Sequence, residues 1–184
     1  MRGIDRTLLW LLAPPAIVLA ALPAQSAQYL STEQAQHALF ADANRFEPVS
    51  VALSEADRAA LAKVSGTRTP LPLDRIWRAM RDEQVLGHLI VDEVYGKHEF
   101  ITYAAAIDAS GAVLGLEILD YRETHGGQVR EPSWRAQFRG KRSSDALELD
   151  EDITNISGAT MSCKHVTEGV RRLLALHDLA LKAR

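Results

Sequence analysis

Residues 85–121 read VLGHLIVDEVYGKHEFITYAAAIDASGAVLGLEILDY, and this stretch decides the fold. Its runs Val85–Val94, Glu99–Ile107 and Ala112–Tyr121 are apolar or alternating, as in β-strands, and short turns separate them. A similar run, Ile76–Met80, precedes the stretch. Strands joined by such short turns pair antiparallel, because a parallel pair needs a crossover of a dozen residues or more. The stretch therefore predicts an antiparallel meander and not a doubly wound parallel sheet.

Helical patterns follow the meander toward the C-terminus. Glu131–Phe138 has Pro132 near its first position and reads as one or two turns, with Trp134 and Phe138 as neighbours four residues apart. Met161–Lys182 has a helical spacing of apolar residues, namely Val166, Val170, Leu173, Leu174, Leu176 and Leu179. The predicted fold class is therefore α+β, an antiparallel sheet meander flanked by helices, with a long C-terminal helix.

Two loops rich in small residues lie next to these elements. Glu123-Thr124-His125-Gly126-Gly127 follows the last strand, and its glycines permit positive φ and a close approach of the backbone. Ile156-Ser157-Gly158-Ala159-Thr160-Met161 precedes the long helix. A helix N-terminus offers unpaired N–H groups and partial positive charge, which suits a phosphate. On its own this pattern fits a plain helix start as well as a ligand site.

The segment on the N-terminal side of the strands, residues 28–72, is expected to contain two short helices. One begins at Ser31, whose spacing to Gln34 is that of a capping box, and the other begins at Ser54. Their apolar positions are Ala35, Leu39 and Phe40 in the first helix and Leu61 and Val64 in the second. We interpret this segment as a cap or spacer beside the main domain, residues 73–184. A partner-docking arm is the alternative.

Residues 1–27 have the pattern of a secretory signal. Two arginines, the largely apolar run Thr7–Ala24 and a small-residue end follow one another. Cleavage is expected after Ser26 or Ala27, so the mature protein is expected in the periplasm. The alternative is a retained anchor in the inner membrane. The apolar run is short for a span of about 20 residues, and Pro14-Pro15 interrupts it.

The composition excludes several classes of protein. The formal net charge of −3 argues against nucleic-acid binding, which needs a basic surface. Cys163 is the single cysteine, so two-cysteine haem attachment, iron–sulfur ligation and cysteine-rich zinc sites are excluded, and no metal site is expected. No Gly-x-Gly-x-x-Gly motif follows a strand, which makes a Rossmann nucleotide site unexpected. A cofactor that transfers electrons would be held here by groups other than thiolates.

Three features, taken in order and with the export signal, resemble the FMN-binding domain family. They are Glu123-Thr124-His125-Gly126, the stretch from Trp134 to Lys141, and Ser157-Gly158-Ala159-Thr160 before an amphipathic helix. The family includes the G subunit of Rnf complexes, the C subunit of sodium-pumping NADH:quinone oxidoreductases and NosR-type domains. The resemblance spans roughly residues 85–180. It implies that Thr160, which closes the last motif, carries FMN as a phosphoester.

The resemblance also implies how the cofactor is attached. In the family a separate Mg-dependent flavin transferase leaves FMN on the threonine hydroxyl, so Thr160 is a modification target and no catalytic residue is expected. His125 replaces the proline of the family's Glu-Thr-Pro-Gly segment. Thr154 stands where the family usually has an aspartate, and Asp152 lies close by.

The cofactor-binding residues implied by the resemblance lie in both loops and between them. They are Thr160, Ser157, Gly158, Ala159, Glu123, Thr124, Gly126, Trp134 and Lys141. Trp134 or Tyr121 is available to stack on the flavin, and Lys141 could place its charge near the N1/O2 edge. The alternatives are that Trp134 and Phe138 are core aromatics and that Lys141 is a solvated helix end.

The expected function is that of an exported flavoprotein with covalent FMN, which transfers electrons between membrane or periplasmic redox partners. Such partners are a quinone oxidoreductase complex or cytochromes, and membrane association is compatible with this function. Without a nicotinamide site or a visible acid–base pair, an electron carrier is expected and not an enzyme that transforms a small substrate. The alternatives are a flavin-based redox sensor or assembly factor, and an accessory module that binds FMN non-covalently.

Overall fold

The computed structural model describes residues 27–65 and 71–182. Its strands are β1 Ala27–Gln28, β2 Arg45–Pro48, β3 Ile76–Arg81, β4 Gln84–Tyr95, β5 Phe100–Asp108 and β6 Val113–Tyr121. Its helices are α1 Thr32–Leu39, α2 Glu55–Ser65, α3 Pro132–Arg135 and α4 Thr160–Leu176, with 3₁₀ turns at Gly127–Arg130 and Ala136–Phe138. The predicted signal or anchor, residues 1–27, lies outside the described residues except for Ala27.

The described strands form one antiparallel sheet with the order β1-β6-β5-β4-β3-β2. The four central strands follow one another in the chain, and their ends lie within one residue of the predicted ends. The predicted α+β class and the antiparallel meander are therefore confirmed.

Both faces of the sheet are covered. The larger core lies between the sheet and α4, where Val166, Val170 and Leu173 are buried. A smaller core lies on the opposite face, where Ala35 and Phe40 of the α1 region cover β4 and β5. Among the described residues none of the helices has the length and apolar composition of a membrane span.

A buried polar network fastens α4 to the sheet. The guanidinium group of Arg172 pairs with the carboxylate of Asp92 on β4, and both side chains are 1% exposed. The hydroxyl of Tyr103 on β5 donates a hydrogen bond of 2.5 Å to the same carboxylate. Gly169 allows this contact, because a Cβ atom there would lie 2.3 Å from the Tyr103 hydroxyl. A buried pair that is hydrogen-bonded in this way is costly to break on one side only.

The N-terminal segment contains the two predicted helices. The capping box from Ser31 to Gln34 is formed, and Ser54 caps α2 by exchanging hydrogen bonds with Asp57. Leu61 is buried as expected, whereas Val64 is 43% exposed, so its predicted place on the apolar face is wrong. The segment also supplies β1 and β2, which the sequence did not predict. The division into residues 28–72 and 73–184 stays a prediction.

The C-terminal helix changes geometry before its end. A π-helical turn, His177–Leu181, follows α4. His177 and Leu181 are buried, whereas Leu179 is 46% exposed. The prediction that Leu179 belongs to the buried face is therefore wrong, because Leu179 follows the buried Val170 by about two and a half helical turns and so lies on the opposite side of the helix.

Candidate functional site

A cleft of about 1080 Å³ lies between the end of β6 and the start of α4. One wall is the loop from Glu123 to Gly127 with the 3₁₀ turn that follows it. The second wall is the segment from Gly158 to Ser162, and Lys97 and His98 at the tip of the β4–β5 hairpin close the third side. The two loops that the sequence singled out are therefore adjacent in space.

The start of α4 presents unpaired backbone donors to this cleft. Ala159 is the N-cap residue and provides no side-chain cap, and Thr160 is the first helical residue. The N–H groups of Thr160, Met161 and Ser162 donate a hydrogen bond to no other described residue. Three such N–H groups with the positive end of a 17-residue helix make an anion-binding site.

The side chain of Thr160 is exposed at this point. Within the described part of the chain no hydrogen bond engages its hydroxyl, in contrast to Thr167 further along the helix, which donates to the carbonyl oxygen of Cys163. Gly158 has φ +82, and a Cβ atom added there would meet nothing within 4 Å, so the backbone before Thr160 lies open. The hydroxyl is therefore accessible from the cleft.

Gly126 brings the two walls into contact, and it has the positive φ that the sequence allowed for. It has φ +85, and a Cβ atom there would lie 2.7 Å from the Tyr121 hydroxyl and 3.2 Å from Cα of Ala159. The Tyr121 hydroxyl donates to the carbonyl oxygen of His125 (2.5 Å) and lies 3.0 Å from Oγ of Ser162. The loop therefore lies directly on the first turn of α4.

Glu123 anchors the loop at its other end. Its Oε1 atom accepts hydrogen bonds from three successive backbone N–H groups, those of Lys97, His98 (2.6 Å) and Glu99 (3.1 Å). Burial raises the pKa of the Glu123 carboxyl, but the bonds from His98, Glu99 and Lys97 outweigh it and hold the pKa below its usual value. The carboxylate thus ties the cleft wall to the hairpin tip, a role that the sequence did not predict.

Basic side chains at the cleft were also missed from the sequence. Lys97, His98 and Arg130 line it, and the acidic residues Glu123 and Glu131 line it as well. Arg130 is fixed by a 3.1 Å hydrogen bond to the carbonyl oxygen of Gly127, and its guanidinium carbon lies 4.1 Å from the centre of the Tyr29 ring. These residues come from separate parts of the chain, so no local motif could indicate them.

Several predicted site residues lie elsewhere. Ser157 is exposed but does not line the cleft. Trp134 is 4% exposed, packs edge-to-face on Phe138 at 5.1 Å, and donates from Nε1 to the carbonyl oxygen of Thr154. The ring of Trp134 therefore belongs to the core and does not line this cleft, and its role at the flavin stays a prediction. Tyr121 is also buried, with its hydroxyl engaged, so its ring is not a stacking platform in the cleft.

Lys141 is the other predicted residue outside the cleft. Its Nζ atom lies 2.9 Å from Oδ2 of Asp152, and the Asp152 carboxylate also accepts from the N–H groups of Leu147 and Glu148. Lys141 therefore closes the loop that contains Asp152 and does not line the cleft. Asp152, the acid nearest to Thr154, is held in the same loop.

Cys163 is fully buried, and burial raises the pKa of its thiol. The thiol therefore stays protonated, as in an inert core cysteine. Within the described residues no group of three or more His, Cys, Asp and Glu side chains is arranged to hold a metal ion.

Comparison with known proteins gives a family model that is similar to the segment containing the cleft. Residues 96–175, which include both walls, match the family model described as the FMN-binding domain. A crystal structure of NqrC from Shewanella oneidensis is similar at 19% sequence identity and a TM-score of 0.48. That match covers 73% of this chain and 66% of the NqrC chain, slightly under two thirds of its length. No curated protein matches the sequence.

Proposed function

We propose that this chain, whose residues 96–175 match the FMN-binding domain model, is an exported flavoprotein that carries FMN in phosphoester linkage on Thr160 and passes electrons between redox partners. The observation that carries the proposal is the position of Thr160. Its hydroxyl is exposed at the first residue of α4, beside the unpaired N–H groups and inside the cleft of the FMN-binding domain.

The residues around Thr160 fit the phosphate end of FMN. The N–H groups of Met161 and Ser162 have no described partner and lie where an anion would be bound. Lys97 and Arg130 add positive charge at the cleft. A cleft of about 1080 Å³ is at the upper end of the range for sites that enclose a cofactor-sized molecule.

The chain's own residues bind and orient, while the bound FMN supplies the one- and two-electron redox chemistry. Glu123 and Tyr121 hold the loop, and Gly126 keeps the two walls together, while the first turn of α4 would hold the phosphate. Cys163 takes no part, because its thiol is buried and protonated.

Attachment requires a separate enzyme. A threonine hydroxyl is a weak nucleophile unless a base activates it, and no described side chain accepts a hydrogen bond from Thr160. We therefore assign attachment to a Mg-dependent flavin transferase acting on the exposed hydroxyl. The proposed redox partners are a membrane quinone oxidoreductase complex or cytochromes. The proposed periplasmic location rests on the sequence pattern of residues 1–27.

Intact-mass measurement tests the proposal. The protein is co-expressed with a flavin transferase of this class, and the expected product is heavier than the mature chain by one FMN minus water. Thr160→Ala should abolish the added mass and the yellow colour. Thr32→Ala is the matched control, because Thr32 is likewise the first residue of a helix, α1, but does not line the cleft, and this variant should be loaded as the wild type is. A yellow protein of unchanged mass would instead indicate a module that binds FMN non-covalently.

A further inference from the structure

Tyr121 connects two walls of the cleft, the Glu123–Gly127 loop and the first turn of α4. It is the last residue of β6, it is 5% exposed, and it does not line the cleft itself. Its hydroxyl reaches three residues that do, His125 and Ser162 through hydrogen bonds and Gly126 through close packing. The backbone of Tyr121 is paired with Ile101 in the adjacent strand, so this contact is fixed relative to the sheet.

No other described hydrogen bond joins the two walls. The loop is tied to the β4–β5 hairpin through Glu123, and Val129 donates to the carbonyl oxygen of Gly126 within the same segment. The first turn of α4 is held by its own backbone bond from Cys163 to Ala159. Within residues 27–65 and 71–182, the Tyr121 hydroxyl is the polar group that is hydrogen-bonded to both walls of the cleft.

The direction of each hydrogen bond to the Tyr121 hydroxyl follows from the groups involved. A carbonyl oxygen can only accept, so the Tyr121 hydroxyl donates to the oxygen of His125. The Ser162 hydroxyl must then donate to Oη of Tyr121, since the single tyrosine proton is already used. The chain therefore runs from Ser162 through Tyr121 to His125, in a buried environment where an unmade hydrogen bond is costly.

We infer that Tyr121 is a positioning residue, whose hydroxyl sets the spacing between the Glu123–Gly127 loop and the first turn of α4, and through it the environment of the cofactor. The part of this inference that concerns the cofactor rests on the proposed function. Burial raises the pKa of the Tyr121 phenol, which keeps it protonated and able to donate at neutral pH.

The first test uses the protein without flavin and measures amide hydrogen exchange. Tyr121→Phe removes one oxygen atom and should speed the exchange of the Val129 and Cys163 amides roughly fivefold to tenfold, the effect of losing one buried hydrogen bond. Tyr103→Phe is the matched control, since it also removes a buried tyrosine hydroxyl bonded to its neighbour, Asp92. It should leave the exchange of Val129 and Cys163 unchanged and act instead on the network of Tyr103, Asp92 and Arg172, which joins the middle of α4 to the sheet.

The second test uses protein loaded by the transferase and measures the midpoint potential and the visible circular dichroism of the flavin. Tyr121→Phe should change both, whereas Tyr103→Phe should leave both at the wild-type values. Ser162→Ala removes the donor and keeps the tyrosine, so it should reproduce the exchange effect at Cys163 even if Tyr121→Phe does not fold.

The outcomes separate the two proposals. If the wild type acquires no FMN, the proposed function fails, while the exchange measurement still decides whether Tyr121 joins the walls. If the wild type is loaded and Tyr121→Phe leaves exchange at Val129 and Cys163 unchanged, the positioning role is refuted. Faster exchange with an unaltered potential and spectrum would also overturn it, since the bridge would then be structural only.

Discussion

Replacing Gly126 by alanine tests whether the Glu123–Gly127 loop must lie against the start of α4. Two separate effects are expected to lower the free energy of unfolding. The residue has φ +85, a conformation that costs a residue with a Cβ atom about 1–2 kcal/mol. The new Cβ would also lie 2.7 Å from the Tyr121 hydroxyl and 3.2 Å from Cα of Ala159. Because Ala159 contributes backbone here, the clash can be relieved only by moving a wall of the cleft, at about 1–3 kcal/mol.

Gly140→Ala separates the two costs. Gly140 has φ +80, but nothing lies within 4 Å of its Cβ position, so this variant should show the conformational cost alone. Urea unfolding should therefore give a loss of about 1–2 kcal/mol for Gly140→Ala and about 2–5 kcal/mol for Gly126→Ala. In a chain of this size each kcal/mol lowers Tm by about 2–4 °C. Equal losses in the two variants would show that the loop does not pack on α4 as described.

Two further predictions concern pH. Because the pKa of Glu123 is lowered in the folded protein, its stabilising effect is present above pH 4.5 and is lost as pH falls through the folded pKa. Glu123→Gln should therefore lower the free energy of unfolding by about 1 kcal/mol at pH 7 and leave it unchanged once the carboxyl is protonated. Urea unfolding at several pH values measures this. A difference between variant and wild type that stays constant with pH would contradict the role of the carboxylate charge. Burial, with the neighbouring His177, lowers the pKa of His88 to about 4, so stability should fall between pH 6.5 and about 4. His88→Leu should reduce the dependence of the free energy of unfolding on pH over this range, whereas the exposed-residue control His37→Gln should not. An unchanged pH dependence in His88→Leu would show that His88 is not the group that titrates.

The central strands could be predicted from the sequence because turns and alternation are local signals. Residues 85–121 contain both, and the strand ends agree within one residue. The edge strands were missed since β1 has two residues and Arg45–Pro48 ends in a proline, so neither is long enough to show alternation. Their pairing with β6 and β3 depends on contacts between distant parts of the chain.

The candidate site also contains features that the local sequence predicts and features that depend on the fold. The motif at Ser157–Thr160 and the glycine at position 126 are local features, and the structure places Gly126 on the first turn of α4. Lys97 and Arg130 reach the cleft only because the β4–β5 hairpin and the 3₁₀ turn fold to the same end of the sheet. The burial of Trp134 depends on which way its helical turn faces, which spacing does not reveal, and its indole donates to the carbonyl oxygen of Thr154.

Fragmentation mass spectrometry of the tryptic peptide Ser143–Lys164 tests the central claim most directly. This peptide contains Thr160 together with Thr154, Ser157 and Ser162, so fragment ions distinguish the candidate hydroxyls. For protein loaded by the transferase, we predict one FMN minus water on every fragment that includes Thr160 and on none that excludes it. FMN on another hydroxyl, or a loaded protein whose peptide is unmodified, would contradict the account.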